Sequence, residues 1–445
     1  MVHDYRSYEP MLLDEASMDT LTSDDYRRFI LNATIVPGLR LVLARHDKRP
    51  DWPYVDTKFD PRTGRDLPAA RYQVVHSWFL GRGSQSLATH LAWLDRLEDL
   101  PADERRRARE VLGHLVEAMT DAIVTIAHRN LGRVPFRLNR DFEAIDEHGQ
   151  RIEADANQAG AGDIFCAKGL VAEGSDAKMR MGVEMLGRAA SLIRQNRYAV
   201  EQFAEQPADI GQGPKMLFQD TAALIAARTT EPSLRRPVFD AAAEFMATVL
   251  DKHYDPDTGV FAEYIDPQTD ARKPYLDPGH AAEFVGLGLG AIEAMRGDAA
   301  LLDGSRKALL DRACRQMPRL LVKDIELGFN PKHPGLFKAV DTQSGEVLND
   351  DMPWWNLPET MRAAIRAVEV ADDDPTRQQC LEIVRICHNA YFANYPNRDN
   401  MLFPYQTISG RTGQVIDKVP AVPEGDPLYH TNLALLDMLD VLERL

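Results

Sequence analysis

The 445-residue chain is poor in cysteine, poor in basic charge and free of long apolar runs, and each shortage excludes a class of protein. Its four cysteines, Cys166, Cys314, Cys380 and Cys387, form no CxxC pair and no zinc spacing. So few in so long a chain point to buried free thiols in a reducing compartment, not to a disulfide framework. Lys and Arg number 52 against 68 Asp and Glu, and the net charge of −16 is the wrong sign for gripping a phosphate backbone. The basic cluster Arg105, Arg106, Arg107 and Arg109 is interleaved with Glu104 and Glu110 and reads as a solvated helix face. No apolar run reaches membrane-spanning length. The opening stretch MVHDYRSYEPMLLDEASMD lacks the basic start and apolar core of a signal peptide. The expectation is a cytoplasmic protein with neither nucleic-acid nor membrane partners.

What the chain does have is helical periodicity almost throughout. Apolar spacing predicts twelve helices, over 22–45, 68–97, 102–131, 161–174, 177–204, 214–229, 233–254, 278–296, 303–323, 355–370, 375–394 and 428–444. After the first, third, seventh, ninth and eleventh come long segments rich in turn residues, such as DPDTGVFAEYIDPQTDARK and LFKAVDTQSGEVLND, each reading as a hairpin around a glycine turn. Other connections are short, such as GSDAK and TEPSL. Alternating long and short connections fit antiparallel helix pairs closed in a ring, with every long loop at one end. The fold expected is therefore all-α, an (α/α)6 barrel of six hairpins. Residues 1–20 form an N-terminal extension and 21–445 one catalytic barrel. A dinucleotide fold is excluded, because no apolar strand runs through a glycine-rich turn into a helix, and GRGSQ at 81–85 interrupts a helical pattern instead.

In such a ring the even-numbered helices start at the loop-bearing end, and residue types that do chemistry gather at those starts. The second opens PAARYQVVHSW with Arg71 and His76, and the sixth opens GPKMLFQD. The eighth opens DPGHAAEF, where Asp277 is an N-cap, Pro278 suits the first turn, and His280 and Glu283 lie one turn apart. The tenth opens DMPWWNLPE and the twelfth DPLYHTN. A tryptophan pair is ordinarily core and a lone histidine ordinarily a cap. Their shared place at successive helix starts favours one funnel. Two imidazoles on an aromatic-lined wall suit proton transfer near neutral pH, Glu283 is placed to fix the tautomer of His280, and Arg71 to hold an oxygen that gains charge. There is no HxxxH and no calcium-loop spacing, so neither metal nor cofactor is expected.

At these residues the chain resembles the N-acylglucosamine 2-epimerase superfamily, which includes cellobiose 2-epimerases and aldose–ketose isomerases. The likeness spans roughly residues 65–445. It rests on the P-G-H-x-x-E of Pro278, Gly279, His280 and Glu283, the W-W-x-x-x-E of Trp354, Trp355 and Glu359, the aromatic–histidine pair Tyr429 and His430, and Arg71. The resemblance implies an (α/α)6 barrel without cofactor, acting on a mono- or disaccharide as monomer or homodimer. It makes His280 and His430 the acid/base pair that moves the C2 proton through an enediol, with Arg71, Trp354, Trp355 and Glu359 binding substrate; Glu263, in the hairpin before the eighth helix, is a further binding candidate. The chain departs from many relatives at Leu217, where they carry a further histidine, and at Met352, where a basic residue is usual. Two other readings stand beside this one. A glycoside hydrolase on the same barrel would use carboxylates from among Glu283, Glu359 and Asp351, and a regulator would bind a sugar or nucleotide without turnover.

Overall fold

The computed structural model describes residues 5–199, 209–418 and 424–445. A short helix, α1 (Met18–Leu21), precedes α2 (Asp24–Ile30), which runs through a π-turn at Leu31–Ile35 into α3 (Val36–Lys48). Then follow α4 (Ser77–Trp93), α5 (Ala102–Arg129), α6 (Ala161–Glu173), α7 (Asp176–Arg194), α8 (Gly213–Arg228), α9 (Pro232–Lys252), α10 (Pro278–Arg296), α11 (Gly304–Gly328), α12 (Asn356–Val370), α13 (Asp374–Asn394) and, after a π-turn at Tyr429–Leu433, α14 (Ala434–Leu442). The even-numbered helices from α4 to α14 pack on one another as an inner ring, closed where the last π-turn meets α4. The odd-numbered ones form the outer ring. This is the (α/α)6 toroid that the loop alternation predicts.

Sequence pattern sorts the two rings. Inner α6 buries twelve consecutive residues from Ala161 to Ala172, as a helix enclosed on every side must. Outer α7 buries Met179, Gly182, Met185, Leu186, Ala189, Ala190 and Ile193, one stripe at three- and four-residue spacing, and leaves its charges in water. Among the described residues no helix is long and apolar enough to cross a membrane.

The long loops are stitched to one another. The strand that leads into each inner helix pairs with the next loop around: 74–76 with 137–139, 159–160 with 198–199, 210–211 with 264–265, 275–276 with 339–341, and 351–353 with 407–409. The last lead-in returns to the first loop, where Gly425 N donates to Thr57 O at 2.9 Å. Backbone hydrogen bonds thus run around the whole lip of the barrel.

Three expectations need adjustment. The second predicted helix starts at Ser77 and not at 68, because Val74, Val75 and His76 are taken by the lip pairing and Ala69–Gln73 forms a 3-10 turn. The fifth predicted helix ends at Arg194 with Asn196 at φ 55°, and its last residues, 200–204, lie outside the described residues. The loop after it is also a long one. The N-terminal extension docks on α13: Leu13 exchanges two hydrogen bonds with Asn389 at 2.8 and 2.9 Å, and the Met11 carbonyl meets His388 Nε2 at 2.8 Å.

GRGSQ lies inside α4 and is a packing device. A Cβ on Gly81 would come 2.3 Å from the Phe165 carbonyl and 2.5 Å from the Cys166 nitrogen of α6. Gly81→Ala is therefore expected to destabilise the fold by roughly 1–3 kcal/mol, because two inner helices must part. Gly113→Ala, where nothing lies within 4 Å of the added carbon, should gain about 0.5–1 kcal/mol instead. Denaturant midpoints of the two variants check this, and a neutral Gly81→Ala would contradict the helix contact.

Candidate active site

His280 is the third residue of α10, presented at the lip by the Asp277–Pro278 start that the sequence predicts. Asp277 caps the helix by accepting from His280 N at 3.4 Å, and its other carboxylate oxygen lies 3.2 Å from His280 Nδ1. Glu263, on the neighbouring hairpin, lies 3.1 Å from the same nitrogen and also accepts from Gln212 Nε2 at 3.1 Å. Lys338 pairs with Asp277. Burial opposes a charge on His280, but the Asp277 and Glu263 carboxylates outweigh it and hold the imidazole pKa above its usual value. Glycine at 279 is required by close approach: a Cβ there would lie 2.3 Å from Asn356 Oδ1 and 2.8 Å from the Trp355 indole.

His430 has the opposite disposition. It stands in the π-turn that opens the last inner helix, a local geometry that often marks functional positions. Its Nδ1 lies 3.1 Å from Glu359 Oε1 and 3.5 Å from Glu283 Oε1. Burial, reinforced by the Arg82 guanidinium, pushes its pKa down to about 4, so it is neutral at neutral pH. Burial also raises both carboxyls, Glu359 to about 7 although Arg362 holds it, and Glu283 further through repulsion by Glu359. Both imidazoles lean on one ring. Trp355 lies 5.6 Å from His280 and 5.3 Å from His430, centroid to centroid.

Two sequence assignments change. Glu283 contacts His430, not His280, and the tautomer of His280 is set by Glu263 and Asp277. One turn along α10 carries Glu283 down to the barrel axis, where the last inner helix reaches it, while His280 turns back toward the cap. Arg71 is not on an inner helix. It is exposed on the 3-10 turn before the lip strand, and its side chain makes no hydrogen bond or ion pair among the described residues. The cation near the histidines is Arg82 of α4, stacked over Trp78 at 4.4 Å, Phe165 at 4.2 Å and Tyr429 at 5.2 Å, with no carboxylate in salt-bridge contact among the described residues. The Trp78–Arg82 spacing of four, a cation one helical turn from an aromatic, was its sequence signal.

The other predicted residues fall into place with different duties. Trp354 spends its indole N–H on Thr431 Oγ1 at 3.1 Å and forms the back of the wall, leaving Trp355 as the shared face. Leu217 packs against the aromatic cluster of Trp78, Phe79, Phe136, Phe165 and Tyr429, and Met352 is buried. Lys215, also missed, is buried beside Glu263, donates to Gly211 O at 3.2 Å, and is drawn down to about 8 by burial. Asp351 pairs with Lys418 at the lip.

Glu283, Glu359 and His430 offer ligand atoms within 4.8 Å of one another, close enough to grip a metal ion. Yet Glu359 is already bound by Arg362, and the Arg82 and Arg362 guanidiniums both bear on His430. A dication there would face two fixed positive charges. What the arrangement can do is take a proton at one imidazole and give one at the other.

A family model for N-acylglucosamine 2-epimerase (GlcNAc 2-epimerase) matches residues 166–434. Among solved structures, the cellobiose 2-epimerase of Bacillus thermoamylovorans B4167 is similar over 96% of this chain and 100% of its own, with a TM-score of 0.64 at 13% identity. A D-mannose isomerase covers 89% of this chain and 97% of its own at TM-score 0.60 and 14% identity. An unsaturated glucuronyl hydrolase from Streptcoccus agalactiae, covering 98% of both chains, aligns at TM-score 0.52 and 11% identity. At such identities the likeness is one of fold. No curated protein matches the sequence. With its model matching more than half of the sequence, the chain belongs to the N-acylglucosamine 2-epimerase family.

Proposed function

We propose that the protein is a sugar 2-epimerase or aldose–ketose isomerase that moves the C2 proton of a ring-opened mono- or disaccharide between His430 and His280. The observation that carries this reading is the opposite proton preference of two imidazoles leaning on one indole. Neutral His430, its Nδ1 turned to carboxylates, has Nε2 free to accept the C2 proton. Charge then develops on the C1 oxygen, and Arg82 is the nearby cation without an anionic partner, suited to stabilise it. His280, held protonated, returns a proton to the other face of C2 to complete epimerisation, or to C1 to give the ketose. His430 ends with one proton more and His280 with one fewer, and exchange with water resets both. Trp355 offers an aromatic face for the C–H side of the sugar. The family assignment and the epimerase and isomerase folds among its neighbours support the same class.

His280→Asn and His430→Asn are each expected to lower turnover by about 10²–10⁴, the usual worth of a general acid or base, with folding intact. Proton NMR in D2O reads both turnover and C2 exchange. One variant should still wash out the C2 proton of one epimer without forming the other. Near-normal turnover in both variants, with loss in Glu283→Gln or Glu359→Gln, would favour a hydrolase.

The pH profile gives a separate check. The basic limb of kcat/KM should follow deprotonation of His280, above the ordinary imidazole value of about 6.5. Glu263→Gln removes a carboxylate that raises this pKa, so the limb should move to lower pH. An unmoved limb would mean that His280 is not the acid.

Exhaustive EDTA treatment should leave turnover unchanged, because the Glu283–Glu359–His430 cluster is already neutralised by arginines. Loss on chelation, restored by one divalent ion, would make that cluster a metal centre.

A further inference from the structure

The described histidines divide by what their two ring nitrogens touch. Buried His90 uses both, Nδ1 on Ser86 O at 2.7 Å and Nε2 on Asn432 at 3.0 Å. Buried His388 likewise uses both, on Tyr26 and Met11. These are structural. His280 and His430 instead set Nδ1 against carboxylates and leave Nε2 without a protein partner among the described residues. One further histidine at an inner-helix start has this pattern. His76, the residue just before α4, lies with Nδ1 2.9 Å from Glu424 Oε1 in a bent contact, and among the described residues no protein group takes its Nε2.

Its surroundings are built, not incidental. Glu424 is fixed by Lys58 Nζ at 2.8 Å and Thr57 Oγ1 at 2.9 Å, and Lys58 also donates to Val74 O at 2.9 Å, in the lip strand that carries His76. All three charged or titratable side chains are at most 3% exposed. Burial works against the Glu424 charge, but Lys58 and His76 hold its pKa down to about 2, whereas burial lowers that of His76. Glu424 is thus the anion and His76 the neutral imidazole, and a neutral ring that turns its Nδ1–H to a carboxylate presents a lone pair at Nε2. The ring lies tilted against Phe136 at 5.3 Å and edge-on to Phe79 at 6.1 Å, members of the aromatic cluster that includes Tyr429, whose own ring is 5.1 Å from His430. In the six-fold ring α4 stands opposite α10, so His76 starts the wall across from His280.

We propose that His76 is a hydroxyl-binding residue of the sugar site: backed by Glu424 and Lys58, its Nε2 accepts a hydrogen bond from a substrate hydroxyl on the wall opposite His280. It is a specificity-determining residue, not a third acid or base, because it has no proton to give at Nε2. The inference rests on the sugar reading above. It assigns a polar contact to a wall otherwise made of Phe79, Phe136 and Trp78, and so favours a substrate with a hydroxyl beyond the reacting carbons.

The test is a cycle between His76→Asn and a series of monodeoxy aldoses, read as kcat and KM for C2 exchange in D2O. Asn keeps an N–H for Glu424 but places no acceptor at the Nε2 position. For the parent sugar, His76→Asn should raise KM about tenfold with kcat changed less than about threefold, the scale of one lost hydrogen bond. In the wild-type enzyme one deoxy sugar should show a similar loss, and that loss should vanish in the variant. His76→Gln, which returns an acceptor near Nε2, should recover part of the difference and serves as the test variant if His76→Asn does not fold. A purely structural role would lower the melting temperature without singling out one hydroxyl. Equal losses across all deoxy sugars, or an unchanged KM, would overturn the inference while leaving the epimerase reading intact. Absence of C2 exchange on every aldose in the wild-type protein would overturn both.

Discussion

The site depends on a ring of backbone hydrogen bonds at one end of the barrel. Five of the six inner helices are entered through a short strand paired to the loop that follows the next outer helix, and the lead-in to the sixth is tied to the first loop by Gly425 N and Thr57 O. An isolated two- or three-residue strand has no stability of its own. Here each is bounded by a packed helix and shares its pairing with a neighbour, so the starts of the six inner helices are fixed relative to one another. His280, Trp355 and His430 follow such strands or turns within a few residues. Their separation is therefore set by backbone geometry, and the side chains inherit it.

Within that frame, two similar imidazoles acquire different proton affinities from their neighbours. Both are flanked by two carboxylates. At His280, whose side chain is 31% exposed, these are Asp277 and Glu263, and their pull raises the imidazole pKa against the cost of burial. At His430, 9% exposed, the two acids repel each other, Arg362 binds one, and the Arg82 charge acts against protonation of the ring. Placing positive charge beside one histidine and negative charge beside the other drives their proton affinities apart.

Helix positions, the two rings and the active end were legible in the sequence because they rest on local periodicity, capping and loop length. Asp277, Pro278 and His280 were readable for the same reason: a cap, a first-turn proline and a histidine within four residues. The partners of those residues were not. Glu263 reaches His280 from a separate hairpin, and Glu283 meets His430 from another helix, at a sequence distance that no helical wheel can relate. The one-turn rule placed Glu283 on the correct face of α10 but could not tell which neighbour lay at that depth. Arg71 was chosen because it begins an apparently helical run. Two β-branched valines and the pairing of 74–76 with 137–139 moved the helix start past it, and Arg82, half-buried farther along the same run, is the arginine that stands over the aromatic cluster.

The closing stitch joins the first long loop to the lead-in of the last inner helix: Lys58 and Glu424 meet across 366 residues of sequence. A contact of that span is among the last to form, since every intervening helix pair must first be in register. Both His430 and the carboxylate behind His76 lie beyond residue 423, so neither exists in a chain still emerging from synthesis. Hairpin by hairpin, the chain can bury much of its core before the segment that carries His430 packs. The proposed pairing of His280 with His430 thus waits on the same long-range contact that closes the ring.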